Sequence, residues 1–254
     1  MQRAVNCYNN TNKTNLNPKA VLFDMDGVLF NSMPYHAKAW YETMQQYGLD
    51  FTEYDAYLNE GRTGESTINA FFPQKYNRNA TAEEVEKIYQ IKSEIFNRIA
   101  NIQPIPHIYD FLLKVKAAGL MIFLVTGSGQ KSLLETLNKN FPNIFHPDRM
   151  ITAYDVKYGK PHPEPYLMAL KKGNLSSNEA IVIENAPLGV RSAVAANIFT
   201  IGVNTGILRD EELLNEGANL VFPSVKELID SWIFRIIFVE HFLVDLRILS
   251  SAIK

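Results

Sequence analysis

The stretch AVLFDMDGVL, residues 20–29, decides the fold. An apolar run of strand length ends in Asp24 and Asp26, and Gly27 follows at once. A strand covered on both faces reads as a near-continuous apolar run rather than an alternation. In open parallel sheets, ligands bind beyond the carboxyl ends of the strands. Two acids delivered to such an end, with an Asp-Gly turn behind them, point to chemistry at the rim of a sheet.

Working outward, further apolar runs are KAVLFD, LMIFLVTGSG, DRMITAYDV, AIVIENA and NIFTIGVN, with ANLVFPS as an edge strand. Between them lie segments of helical length and period: HIYDFLLKVKAAG, QKSLLETLNKNF, PEPYLMALKKG, PLGVRSAVAAN and RDEELLNEG. Strands alternating with helices predict an α/β fold, a Rossmann-like parallel sheet with helices on both faces. One region breaks the rhythm. Between about residues 34 and 103 no strand is evident, while PYHAKAWYETMQQYG and AEEVEKIYQIKSEIFNRI read as helices. The expected organisation is an α/β core of residues 18–32 and 104–232, with an α-helical cap, 33–103, inserted after the first strand. Residues 1–17, rich in asparagine, are expected to be disordered. Residues 233–254 form an apolar extension interrupted by Arg235, Glu240, His241, Asp245 and Arg247, which argues against a membrane-spanning helix.

The composition is that of an ordinary globular protein, 46% hydrophobic and 20% charged over 254 residues. A net charge of -2 gives no bulk attraction to nucleic acid or an anionic membrane. Cys7 is the only cysteine, so no disulfide can form within the chain. No apolar stretch of signal-peptide length opens the sequence, and a cytoplasmic location is expected.

Four clusters end successive strands: Asp24 and Asp26; Thr126, Gly127 and Ser128; Lys160; and Glu184 with Asn185. Carboxylate and carbonyl oxygens suit magnesium. Hydroxyl and backbone N–H groups suit phosphoryl oxygens, and a lysine neutralises the charge they share. One carboxylate can attack phosphorus while another moves protons. Taken together, the set describes phosphoryl transfer through an aspartyl-phosphate.

The motifs DMDGVLF, VTGSG, KYGKPHPEPY and VIENAPLGV resemble the ordered set of the haloacid dehalogenase superfamily, and the insert resembles the helical cap of its β-phosphoglucomutase-like subgroup. The resemblance covers residues 18–232. It implies that Asp24 is the nucleophile and Asp26 the acid/base, whose backbone carbonyl also meets magnesium. It implies that Thr126 and Gly127 hold the transferring phosphoryl group, that Lys160 balances its charge, and that Glu184 and Asn185 complete the metal site. Ser128 joins this substrate-binding set. His36, in PYHAKAW, stands where mutases of the subgroup carry a histidine that supports the acid/base.

The sequence also departs from the subgroup. The usual acidic pair at the fourth motif is Glu184-Asn185 here, one negative charge fewer. On the cap loop NEGRTGEST, Glu60 replaces a lysine common in sugar-phosphate mutases, and Gly64 stands at the arginine position. Glu60 is therefore expected to swing in and ligate magnesium, leaving a small site, with Arg62 and Lys92 as substrate-binding cations. The pattern NEGRTGxST with VIENAPLG is similar to a subgroup member acting as an inorganic pyrophosphatase, so a magnesium-dependent phosphohydrolase acting on pyrophosphate is the leading expectation. A β-phosphoglucomutase and a sugar-phosphate phosphatase are the alternatives; a non-catalytic binding protein would not need Asp24. A small phosphorylated substrate is the expected partner, with a monomeric chain or a dimer formed through the tail.

Overall fold

A computed structural model describes residues 2–127 and 133–232. The first element, α1 (Gln2–Asn12), precedes β1 (Ala20–Phe23). The cap helices follow: α2 (Met33–Gln46), α3 (Glu53–Leu58), α4 (Gly64–Tyr76) and α5 (Ala82–Ile99). The core resumes with α6 (Ile108–Ala117), β2 (Met121–Val125), α7 (Leu133–Asn140), β3 (Met150–Ile151), α8 (Glu164–Gly173) and β4 (Ala180–Glu184). It closes with α9 (Pro187–Ala195), β5 (Phe199–Val203), α10 (Asp210–Asn215), β6 (Leu220–Phe222) and α11 (Val225–Asp230). Ser128 and the extension 233–254 lie outside the described residues.

The six strands form one parallel sheet in the order β3-β2-β1-β4-β5-β6. Phe23 is level with both Leu124 and Ile183, so Asp24 emerges beside the ends of β2 and β4. Successive side chains of a strand face opposite ways. Val21 and Phe23 join Ile122, Leu124, Ile181 and Ile183 over Phe111 and Leu112 on one face. Leu22 joins Phe123, Val125 and Val182 over Tyr166 and Leu170 on the other. Both faces are dry, which is why these strands lack polar alternation.

The cap has its own apolar cluster, including Met33, Met44, Phe51, Tyr57, Ile68, Phe72 and Ile88. Its long helix α5 starts on a reciprocal cap in which Thr81 and Glu84 each bond the other's backbone N–H. The two linkers run side by side. The Asn31 N–H donates to the Gln103 carbonyl (2.8 Å), and the Ile105 N–H to that of Leu29 (2.9 Å).

The expectation of disorder for residues 1–17 does not hold for α1. Tyr8 is buried, meets Phe199 edge-on and donates its hydroxyl to the Asn197 carbonyl at 2.7 Å. One aromatic anchor with a satisfied hydroxyl offsets the poor helix propensity of the surrounding asparagines. Tyr8→Ala should lower the unfolding free energy by about 3 kcal/mol, read from urea denaturation; unchanged stability would mean that α1 is not docked.

Candidate active site

The turn after β1 carries the two aspartates. Gly27 sits at φ +83, and a Cβ there would lie 1.9 Å from Asn185 Nδ2, so the position demands glycine both for its backbone and for its neighbour. The N–H groups of Val28, Leu29 and Phe30 turn back onto the Met25 carbonyl, and that of Gly27 onto Phe30.

Asp24 is buried, and Lys160 Nζ donates to its Oδ1 at 2.5 Å. The same ammonium donates to Glu184 Oε1 (2.6 Å) and the Val125 carbonyl (3.1 Å), so its three protons are spoken for. Burial opposes the lysine's charge, but Asp24 and Glu184 hold its pKa well above the ordinary value. Burial pushes the Asp24 carboxyl up to about 7 against the pull of Lys160.

Glu184 is fully enclosed and fully bonded. Its Oε1 accepts from Lys160 and from the Tyr166 hydroxyl (2.8 Å); its Oε2 accepts from the N–H groups of Asn185 (2.9 Å) and Ala186 (3.1 Å). These bonds dedicate it to Lys160. Asn185 faces the other way: its Nδ2 donates to Glu60 Oε2 at 3.1 Å, while Asn185 Oδ1 and Glu60 Oε1 are buried without a hydrogen-bond partner. The cap acid expected to swing in does reach the core.

Asp26 lines the same cleft. Ser32, at the start of α2, donates to its Oδ1 at 2.5 Å, and His36 Nε2 stands 3.6 Å from that oxygen. Burial works to raise the Asp26 carboxyl, but the neighbouring His36 and Ser32 outweigh it and hold the group below its usual range. Burial likewise lowers His36. A neutral ring accepts at Nδ1 from Lys92 Nζ (2.8 Å), which leaves the Nε2 proton toward Asp26. His36 stacks on Phe96 with centroids 4.1 Å apart. Lys92 is buried among Trp40, Tyr89 and Phe96, its Nζ 4.9–5.9 Å from their centroids.

Thr126 is buried at the end of β2, its N–H on the Ile151 carbonyl (2.9 Å). With Gly127, Lys160, Gly61 and Thr63 it lines a cavity of about 70 Å³. Arg62 lines the main cleft, held by Asn59 Oδ1 (2.9 Å) and Ser66 Oγ (3.1 Å). That cleft encloses about 630 Å³, so the small site expected from the cap loop is not what the structure has. Trp40, Phe96, Ile102 and Tyr154 also line the cleft.

Ser32 and Tyr166 escaped the sequence reading. Ser32 carries only a weak signal, a hydroxyl at a helix start six residues after Asp26. Tyr166 lies within KYGKPHPEPY but reads there as a core aromatic.

The donor set fits a divalent cation. Asp24, Asp26, Glu60 and Glu184 crowd four carboxylates around Lys160 and Lys92, and burial together with the other three acids raises Glu60 well above its usual value. The two unpartnered oxygens belong to one residue of the cap, Glu60, and one of the core, Asn185. Among the described residues no group of three His, Cys, Asp or Glu side chains is gathered as a metal site. Amide and main-chain oxygens would therefore have to contribute, which suits a hard cation.

A parallel sheet with this rim chemistry beneath an inserted helical cap defines a phosphoryl-transfer protein. A family model described as haloacid dehalogenase-like hydrolase matches residues 21–203. The chain is 31% identical over 212 residues to hexitol phosphatase A of Escherichia coli, spanning 83% of this chain and 93% of that protein. It is 26% identical to the β-phosphoglucomutase of Bacillus subtilis, over 83% and 91% of the two chains. A solved structure from Bacteroides vulgatus, provisionally described as a β-phosphoglucomutase, superimposes with a TM-score of 0.88 at 52% identity, covering 92% of this chain and 95% of that one. The chain belongs to the haloacid dehalogenase-like hydrolase family, in its β-phosphoglucomutase-like subgroup, and is a phosphohydrolase or phosphomutase. No helix among the described residues is long and apolar enough to cross a membrane.

Burial lowers Lys92 from 10.5 to about 8 against the pull of Asp26. The unfolded chain thus binds more protons between those values, and stability rises with pH across that window. Relative to Lys92→Met, the wild type should gain about 2–3 kcal/mol in unfolding free energy between pH 7 and 10.5, measured by urea denaturation at each pH. A flat difference would place Lys92 in solvent.

Proposed function

We propose that the chain is a magnesium-dependent phosphohydrolase working through an aspartyl-phosphate on Asp24, with pyrophosphate as its preferred substrate. Glu60 carries the choice of substrate: it comes from the cap, bonds Asn185, and keeps one buried oxygen without a protein partner. Magnesium, when bound, would neutralise phosphoryl oxygens and the excess of carboxylates; Asp24, Glu60, the Asn185 amide oxygen and the Asp26 backbone carbonyl would hold it. Glu184, expected at the metal site, is bonded instead to Lys160, Tyr166 and two backbone N–H groups, which favours a role as the partner of Lys160.

In this reading an oxygen of Asp24 forms a bond to phosphorus as the bond to the leaving oxygen breaks. Asp26, ionised beside His36 and Ser32 in the free site, would have to take up a proton as substrate binds before passing it to that oxygen as the acid of this step. Water then attacks the aspartyl-phosphate, Asp26 takes a proton from it, and the Asp24–phosphorus bond breaks to release phosphate. Lys160 holds Asp24 through both steps, and Thr126 and Gly127 line the space for the phosphoryl oxygens. The leaving phosphate would sit beside Asp26, where His36 and Lys92 line the cleft. At Gly64 the Tyr89 ring takes the space a side chain would need, since a Cβ there would lie 2.3 Å from it, which suits the absence of an arginine at that position.

The 630 Å³ cleft and the relatives named as sugar-phosphate enzymes favour a second reading, hydrolysis of a sugar phosphate. Initial rates with magnesium on pyrophosphate and on β-glucose 1-phosphate, following phosphate and glucose 6-phosphate, separate the two. A higher kcat/KM on pyrophosphate is expected; glucose 6-phosphate formation would make the chain a mutase. Asp24→Asn should abolish turnover with the thermal transition retained, and retained hydrolysis would sink the covalent route. Glu60→Ala should weaken magnesium binding, read calorimetrically, and pyrophosphate turnover together.

A further inference from the structure

The cap meets the core at a second place, beyond the end of β5, that the proposed chemistry does not use. Residues 204–209 lead from β5 to α10. The Asn204 N–H donates to the Phe222 carbonyl (2.8 Å), tying the start of the loop to β6. Asn204 Nδ2 donates to the Leu208 carbonyl and to Asp210 Oδ1, both at 2.7 Å, and folds the loop onto itself. Leu208, though part of the core chain, is buried in the cap's apolar cluster with Met33, Ala37 and Tyr57. A Cβ on Gly206 would lie 2.6 Å from the Tyr57 ring, so α3 rests directly on this backbone. Tyr54, also on α3, donates to Glu212 Oε1 at 3.1 Å. From the other side of the loop, Thr205 Oγ1 donates to the Gly27 carbonyl at 2.5 Å, one residue from Asp26.

We infer that Thr205 and Leu208 are positioning residues that join the seating of the cap to the placement of Asp26. Thr205 fixes the peptide plane after Gly27, a residue whose left-handed backbone has no side chain to steady it. Leu208 holds the cap over that turn, and lifting the cap away would return an apolar side chain to water. Because one short loop carries both contacts, a cap displaced from its seat also loosens the turn bearing the acid/base. The inference rests on Asp26 taking part in turnover; the seating of the cap does not.

The test pairs kinetics with amide hydrogen exchange on the full chain, using whichever of pyrophosphate and β-glucose 1-phosphate the wild type turns over. Thr205→Val keeps the size and removes the donor; kcat should fall about tenfold with KM within about twofold, and Thr205→Ser should restore it. Leu208→Ala should raise KM about tenfold with a smaller change in kcat, and should speed exchange at Asn31 and Ile105 in the linkers. Leu208→Met should restore both, and Leu208→Val, a smaller truncation expected to shift KM and linker exchange the same way, carries the test if the alanine variant does not fold. If Leu208→Ala and Thr205→Val keep wild-type kcat, KM and linker exchange, or lose only melting temperature, the inference is overturned. A wild type inactive on both substrates would refute the reading of the site instead, while the exchange arm would still decide the seating of the cap.

Discussion

Everything at the rim of the sheet is organised around one ammonium group. Lys160 spends its three protons on Asp24, Glu184 and a strand-end carbonyl, at the nearly dry floor of the cleft. A buried charge is tolerable only when its partners are close and every remaining lone pair is satisfied. Glu184 meets that condition through Tyr166 and two backbone N–H groups. The lysine is thereby fixed by the fold itself, and the position of Asp24 follows from it.

The sheet order explains why this arrangement is possible. Strands β1 and β4 are neighbours although most of the chain lies between them, so residues 24, 184 and 185 meet at one point of the rim. The cap enters the chain directly behind that point. Its linkers hydrogen-bond to one another, and Glu60 arrives over Asn185 from a separately packed helical cluster. The centre is thus divided between two packed bodies: the core holds the nucleophile and its lysine, and the cap supplies Glu60, His36 and Lys92.

Burial on both faces leaves an unbroken apolar signature in β1, β2, β4 and β5, and each of the six strands lies within one of the runs KAVLFD, LMIFLVTGSG, DRMITAYDV, AIVIENA, NIFTIGVN and ANLVFPS. Three of the four rim clusters were legible for the same reason, since each ends such a run; Lys160 lies further on, in the loop between β3 and α8, and was legible only through its motif. Helix α1 was not, because its one anchoring aromatic lies in an asparagine-rich stretch and its partner Asn197 is far away in sequence. Helix α4 was obscured by a glycine in its first turn and by Pro73 within it. Ser32, Tyr166 and Thr205 work only through what they touch, and the sequence carries no trace of those contacts. The breadth of the cleft also depends on how four helices pack, which no single segment encodes.

The two ends of the sheet have a consequence of a different kind. On one side β3 is two residues long, and on the other β6 is three. A strand at an edge presents unpaired N–H and C=O groups that another chain can extend, and very short edge strands blunt that template. Sheet-to-sheet growth between copies of this protein has almost nothing to register on. The long apolar strands that make the fold recognisable are all interior, shielded from intermolecular pairing by edges too brief to propagate it.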